Sequence, residues 1–352
     1  MPTLAQIRGG ILEEIVLVLL ENAGYRILSE NDGVEIRNGH SGLELQGRGE
    51  WHQVDALVSY DFSPSFIYPI RLIVEAKAYL PNSYTRGRVD INTVRNAVGV
   101  LKDVNENYFS LSPQDSNELY KFKRFNYTYA IFSLYGFTRN AQRYAIAHQI
   151  FLIQYYFNPL FTGIRNTISQ IKKWDIFSTR DIELRQLRRD VRDFLRNENS
   201  NVINSLSFFS NRGKEMIINL KKELDKIKGS YFGLLNGEYP IHLISERVLT
   251  QIPNDEIFAR VYIHNAKYVS FEFNGNRLFF ELPETIVEIF SKVWRDKIRV
   301  AKTKRQYVNY VTLTGKIDGI MRNLIIRLDE SWLEDYLRRL RLSSSQAKRL
   351  KK

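Results

Sequence analysis

Three charged side chains on two short apolar segments carry the chemistry that this sequence offers. Asp55 follows Val54 within the run Trp51 to Tyr60. Glu75 and Lys77 flank Ala76 in Ile73-Val74-Glu75-Ala76-Lys77. Strand side chains alternate between faces, so Glu75 and Lys77 point the same way and Ala76 points to the other face. Asp55 can sit opposite them on a neighbouring strand. Two hard oxygen ligands and one cation make a Mg²⁺ site with a partner for a water or a phosphate. That chemistry is phosphodiester hydrolysis, which needs an activated water, in-line attack and stabilisation of the charge that builds up. Asp55 and Glu75 are the expected metal ligands. Lys77 positions or helps deprotonate the water, or neutralises the developing charge. A lone Glu-x-Lys is also a common solvent-facing pair. The apolar stretch just before it, and an Asp twenty residues earlier, favour a site.

The elements that must hold these residues follow from periodicity. Residues 8–23 repeat apolar positions at helical spacing and end at Gly24. Trp51 to Tyr60 is expected as one strand, with Gln53 on the face of Asp55 and able to line the site. Arg71 to Ala78 is expected as a buried central strand. Helices at 92–104 and 138–147 and strands at 127–134 and 150–156 complete an α/β sandwich. The Asn158-Pro159 pair marks a boundary. Beyond it, 184–194 and 217–227 carry helical 3-4-3 spacing, and Gly229 to Pro240 reads as a linker. From Ile241 on, strand-like segments dominate.

The set Asp55…Glu75-Ala76-Lys77 resembles the signature of the PD-(D/E)xK nuclease superfamily, with Val54 where the named Pro often stands. The nearer likeness is to Mrr-like restriction endonucleases. It rests on Leu12-Glu13-Glu14 with Leu19-Leu20 and Gly24-Tyr25, on Gly47-Arg48-Gly49 leading to Gln53-Val54-Asp55, and on Phe137-Thr138-Arg139-Asn140-Ala141 followed by Ile150-Leu152-Ile153. It spans about residues 8–157. The resemblance implies a restriction-endonuclease-like α/β domain over 1–157, a mixed central sheet flanked by helices. A helical segment (158–230) and a mixed α+β basic domain (231–352), with a disordered tail at 343–352, are expected to follow. The resemblance also implies a helix carboxylate as a further metal ligand, Glu13 by its spacing, with Glu14 as the alternative. The function it implies is Mg²⁺-dependent DNA cleavage, with Mn²⁺ able to substitute, in restriction or anti-phage defence. An RNA substrate, or a non-catalytic nucleic-acid-binding scaffold, stays open.

The partner expectations come from charge. The chain has 352 residues and a net charge of +12. Residues 1–157 hold 15 Lys+Arg and 16 Asp+Glu, so all the excess lies beyond them. A basic half suggests a polyanion. Arg86, Arg88 and Arg95 after the motif strand, and Lys302, Lys304 and Arg305 near Tyr307 and Tyr310, are the candidate nucleic-acid contacts. The basic run Arg185, Arg188-Arg189, Arg192, Arg196 is diluted by acids and reads as a salt-bridged solvated face. Cutting both strands takes two sites, which suggests a homodimer, and the basic half suits a regulatory protein partner too. With no cysteine, thiolate catalysis and cysteine-ligated zinc are excluded, and a cytoplasmic setting is expected. No apolar stretch is long enough to span a bilayer, so no membrane partner is expected.

Overall fold

A computed structural model describes residues 3–39, 42–60, 66–81, 86–107, 125–177, 184–197 and 206–349. The chain forms two compact units, residues 1–156 with 163–225, and residues 157–162 with 226–352.

The first unit opens on α1 (Leu4–Asn22), where Thr3 and Gln6 form a capping box. Ile11, Leu12, Ile15, Val16, Leu19 and Leu20 are fully buried, and so are the intervening Glu13 and Glu14. A helix covered all round needs partners on every side. One partner is a five-stranded sheet in the order β1-β5-β6-β7-β8: β1 (Arg26–Ile27), β5 (Ala56–Tyr60), β6 (Ile70–Lys77), β7 (Asn126–Ser133) and β8 (Ile150–Gln154). The first two neighbouring pairs are antiparallel and the last two parallel. α2 (Ile91–Asn105) and α3 (Arg139–Ala147) supply the crossovers that parallel pairs require. A separate antiparallel meander joins β2 (Ile36–Asn38), β3 (Leu43–Gln46) and β4 (Trp51–Val54).

Helices α4 (Thr162–Gln170), α5 (Leu184–Arg196) and α6 (Asn211–Leu224) complete this unit. The segment 158–230 is therefore not a body of its own. α5 turns Leu187, Val191, Phe194 and Leu195 inward and packs on α1. Its 3-4-3 apolar spacing serves the core of the unit.

The second unit is a closed barrel in the order β10-β13-β12-β11-β15-β14-β9. Its strands are β9 (Gly229–Leu235), β10 (Tyr239–Ser245), β11 (Glu256–His264), β12 (Tyr268–Phe273), β13 (Asn276–Glu281), β14 (Tyr310–Ile317) and β15 (Ile320–Leu328). Tight hairpins at Asn236-Gly237, Asn274-Gly275 and Asp318-Gly319 place both central residues at positive φ, as a turn matching strand twist demands. α7 (Glu284–Val293), α8 (Lys297–Tyr307) and α9 (Glu330–Arg349) pack in sequence, α7 on α8 and α8 on α9.

This barrel corrects the expected fold class. A restriction-endonuclease-like architecture followed by a mixed α+β domain does not describe a chain with seven strands in a closed barrel. Two smaller expectations also fall. Gly229 to Pro240 is not a linker but the first barrel hairpin. Its glycines stand where backbones meet: a Cβ on Gly233 would collide with the Thr312 carbonyl. Residues 343–349, expected as a disordered tail, continue α9, and 350–352 lie outside the described residues.

Candidate active site

Asp55 occupies the single-residue break between β4 and β5, where the chain leaves one sheet for the other. The expected continuous strand 51–60 is thus two strands. Pairing of Ala56 with Val74 sets Asp55 across from Glu75 at the end of β6. Asp55 Oδ2 accepts the Ala76 N–H at 3.0 Å, which ties the two strand ends together. Lys77 Nζ lies 2.7 Å from Glu75 Oε1, and the two side chains keep 23% and 17% of their surface open to solvent. Tyr129 OH donates to Glu75 Oε2 at 2.9 Å. Tyr129 sits on β7 two residues from Ile131, the partner of Glu75, so it shares the face of Glu75. Motif reading missed it. The available signal was a tyrosine in an apolar strand, whose hydroxyl needs a partner when buried.

The electrostatics follow from this packing. Burial holds the Asp55 carboxyl above its ordinary range, against the opposing pull of Lys77 and the Ala76 N–H. Burial draws the Lys77 ammonium down, but Glu75 and Asp55 outweigh it and the group titrates above its usual value. Burial, then the Glu75 charge, pushes the Tyr129 phenol up, so it stays a donor. Asp55, Glu75 and Lys77 are therefore one coupled set, open at the strand ends.

Glu13 is placed differently from its expected role. Its carboxylate forms an ion pair with Arg188 of α5. The same guanidinium donates to the Asp55 carbonyl at 3.3 Å, and its Nε to Glu14 Oε1 at 3.3 Å. Arg192 grips Glu14 with Nε and Nη2 at 2.7 and 2.8 Å, and Arg196 holds Glu21 at 2.8 Å. Burial pushes the Glu14 carboxyl up, with Arg192 opposing, and pulls the Arg188 guanidinium down to about 10. Arg188, Arg192 and Arg196 of the run read as a solvated face are instead a clamp on α1, because their acidic partners lie on that helix. Among the described residues no three acidic or histidine side chains gather as a metal-ligand group, so Glu13 does not join Asp55 and Glu75 in one.

The other expected contacts divide. Gln53 is exposed on β4 in the three-stranded sheet, and the break at Asp55 removes the shared-face argument for it. Arg86 is exposed and Arg88 half-buried in the loop before α2. Arg95 is exposed on α2, with Nη1 3.3 Å from Asn92 Oδ1. Lys302 is exposed on α8. Lys304, however, is 6% exposed, donates to the Val261 carbonyl at 2.7 Å and lies among the rings of Tyr262, Trp332 and Tyr336. Burial pulls its ammonium down to about 8. Arg305 is bound to Glu330 at 2.5 Å. α8 turns Lys304 into the core, while Arg305 stays on the surface in an exposed ion pair with Glu330 of α9. Exposed cations also lie earlier in the chain: Lys292, Arg295, Lys297, Arg299 and Lys302 follow one another about the exposed Trp294, with Asp296 as the one acid between them in sequence.

Charge follows the two units less sharply than it follows the two sequence halves, because α4 to α6 carry basic residues into the first unit. Residues 157–162 with 226–352 hold 23 Lys+Arg against 14 Asp+Glu, and so carry +9 of the total +12. A polar concavity of about 650 Å³ on the barrel is not the place for this excess. Its Arg247, Arg260 and Arg277 face Glu246, Glu272 and Asp329.

Two carboxylates and an ammonium fit a Mg²⁺ ion better than a softer metal. Magnesium uses one or two carboxylates and keeps several waters, so it does not require an all-protein cage. Asp55 Oδ1 makes no hydrogen bond among the described residues, and Glu75 is partly open to solvent.

Among the described residues no helix is long and apolar enough to cross a membrane. No family model matches the chain, and no curated protein matches it. A solved structure titled a protein of unknown function, AF1548, is similar over 61% of this chain and 97% of its own, at 17% identity and a TM-score of 0.34. A score that low carries no argument about fold or function.

Proposed function

We propose that the protein is a Mg²⁺-dependent nuclease that hydrolyses DNA phosphodiester bonds at Asp55, Glu75 and Lys77. The observation that carries this reading is the convergence of the three residues. Asp55 lies across from Glu75 with its carboxylate on the Ala76 N–H, and Lys77 sits 2.7 Å from Glu75. Asp55 and Glu75 would hold the ion, which when bound supplies a Lewis acid and an acidified water. Tyr129 fixes the rotamer of Glu75 through its hydroxyl. Lys77, kept protonated by both carboxylates, offers a cation where phosphate charge develops. The motif Asp55…Glu75-Ala76-Lys77 and its likeness to PD-(D/E)xK nucleases support the same chemistry, and a role in restriction or anti-phage defence goes with that likeness.

The basic surface about Trp294 supports a nucleic-acid substrate, since lysines and arginines release counterions from a phosphate backbone and an exposed indole can stack on a base. A cytoplasmic location and a homodimer belong to this reading. The test is plasmid cleavage with Mg²⁺ by wild type and by Asp55→Ala, Glu75→Ala and Lys77→Ala. Wild type nicks, and each variant loses at least about a hundredfold, the scale of losing one charge-stabilising group. Equal nicking by all four proteins, or no cleavage of any DNA or RNA by wild type, ends the proposal. Parallel digestion of RNA separates the two substrates.

A further inference from the structure

We infer that the arginines of α5 form a phosphate-binding subsite beside Asp55, which seats the nucleic-acid strand against the site. This rests on the nuclease reading for its purpose, but its own observations are separate. A cavity of about 170 Å³ in the first unit is lined by Asp55 and Ala56 and by Arg185, Arg188, Arg189 and Arg192, with Glu30 as its other acid. Four guanidiniums from one helix thus face a single space that borders the candidate metal ligand.

Their charges are not all spent within the fold. Arg188 and Arg192 are matched by Glu13 and Glu14. Arg185 donates to the carbonyls of Gly39 and Gly42 and pairs with no carboxylate among the described residues. Its Nε is buried without a hydrogen-bond acceptor. A buried donor of that kind is rare and points to an absent partner. Arg189 reaches the cavity from the exposed side of the helix. Two unmatched guanidinium groups at one cavity are suited to an acceptor with several oxygens, and the planar fork fits phosphate oxygens in pairs.

The chemical class is then a phosphodiester. A nucleic-acid strand repeats its phosphates, so one held by the arginines would leave a neighbouring one for Asp55, which lines the same cavity. α5 lies outside residues 8–157, which carry the nuclease likeness. The helical segment in this reading completes the site that the motif begins.

The test is binding by the full-length protein in EDTA, so that no cleavage intervenes. A short fluorescein-labelled DNA duplex is titrated by anisotropy over a range of salt, with wild type, Arg189→Glu and Arg185→Gln. Arg189→Glu is expected to weaken binding by about tenfold or more and to lower the salt slope by about 1, as loss of one phosphate contact does. Arg185→Gln moves the same way. Melting of Arg189→Glu stays at the wild-type value because the side chain is exposed. If Arg185→Gln lowers melting, Arg189→Glu alone decides. Inorganic phosphate is titrated as competitor and displaces duplex from wild type but not from Arg189→Glu. Unchanged affinity and slope in Arg189→Glu, or equal competition by phosphate in both proteins, overturns the subsite. Neither result touches the cleavage reading, which Asp55→Ala tests on its own.

Discussion

Arg192→Ala should loosen the joint between α1 and α5, and the amount can be worked from the site. Glu14 is 0% exposed, and Arg192 supplies two of its hydrogen bonds, at 2.7 and 2.8 Å. Removing one partner of a buried ion pair costs about 3–5 kcal/mol, because the other charge is left uncompensated. Two features reduce this. The Arg192 side chain is 36% exposed, so water already screens one side of the pair. Arg188 Nε stays within 3.3 Å of the same carboxylate. A loss of about 2–3 kcal/mol is expected, which is a rise in local opening on the order of 10²-fold.

Hydrogen–deuterium exchange over α1 and α5 reads this opening directly. The sign with pH is fixed by the direction of the Glu14 shift. Burial already holds its folded pKa above the unfolded value, and losing Arg192 raises it further. A carboxyl with a raised folded pKa weakens the fold above its unfolded pKa. The penalty fades as pH falls and the group is protonated in both states. The variant's excess exchange should therefore shrink from pH 8 towards pH 5. A double variant, Glu14→Leu with Arg192→Leu, should open less than Arg192→Ala, because no orphan charge remains. Exchange in Arg192→Ala within about threefold of wild type, or an excess that does not vary with pH, would refute the reasoning.

Other consequences are separable by assay. His242 is buried, hydrogen-bonded to Ser230 Oγ at 2.8 Å and stacked on Phe232, and burial pulls its imidazole down to about 3. Its contribution is complete above pH 6.5 and lost below it. The barrel should lose about 2–3 kcal/mol more between pH 6 and pH 4 than in His242→Gln, read by urea unfolding. Gly233→Ala drives a Cβ into the Thr312 carbonyl and should destabilise the barrel by about 2–3 kcal/mol. By contrast, Gly99→Ala in α2, where a Cβ meets nothing within 4 Å, should stabilise by about 0.5–1 kcal/mol; both are read from melting curves. Reversing Lys292, Arg295 and Lys297 to Glu should lower the salt slope of duplex binding by about 3 without lowering the melting temperature, since all three are exposed.

What the sequence made legible is what period and spacing encode. Alternation about Ala76 orders Glu75 and Lys77 on one face, and the apolar stripe of residues 8–23 marks α1. The barrel was written as plainly, in Asn236-Gly237, Asn274-Gly275 and Asp318-Gly319, each between alternating strands. Gly229, Gly233 and Gly237 lie close together, and glycine density signals a linker as readily as a close-packed hairpin. In Gly233 the missing side chain admits a neighbouring backbone, which only the closed sheet reveals. The α8 cluster divides for another reason. Lys302, Lys304 and Arg305 are neighbours in sequence, but a helical turn sends Lys304 inward and Arg305 to Glu330. Charge counts cannot resolve which face a cation takes.

Glu13 and Glu14 show why a site is more than its motif. Adjacent residues on a helix point about 100° apart, so one of the pair ought to be solvated if the other faces a site. Both are buried here, because α5 brings a guanidinium to each. No periodicity in residues 1–157 could reveal this, since the partners lie more than 170 positions away. A Cβ on Gly10 would meet Arg188 Cγ at 3.0 Å, so the close passage of α5 also depends on a residue of α1 that has no side chain. Arg188 touches Glu13, Glu14 and the Asp55 carbonyl at once. The position of Asp55 and the seat of α5 are therefore joined through one side chain. The seat of α5 thus reaches the Asp55 backbone at the strand end, outside the residues that the motif names.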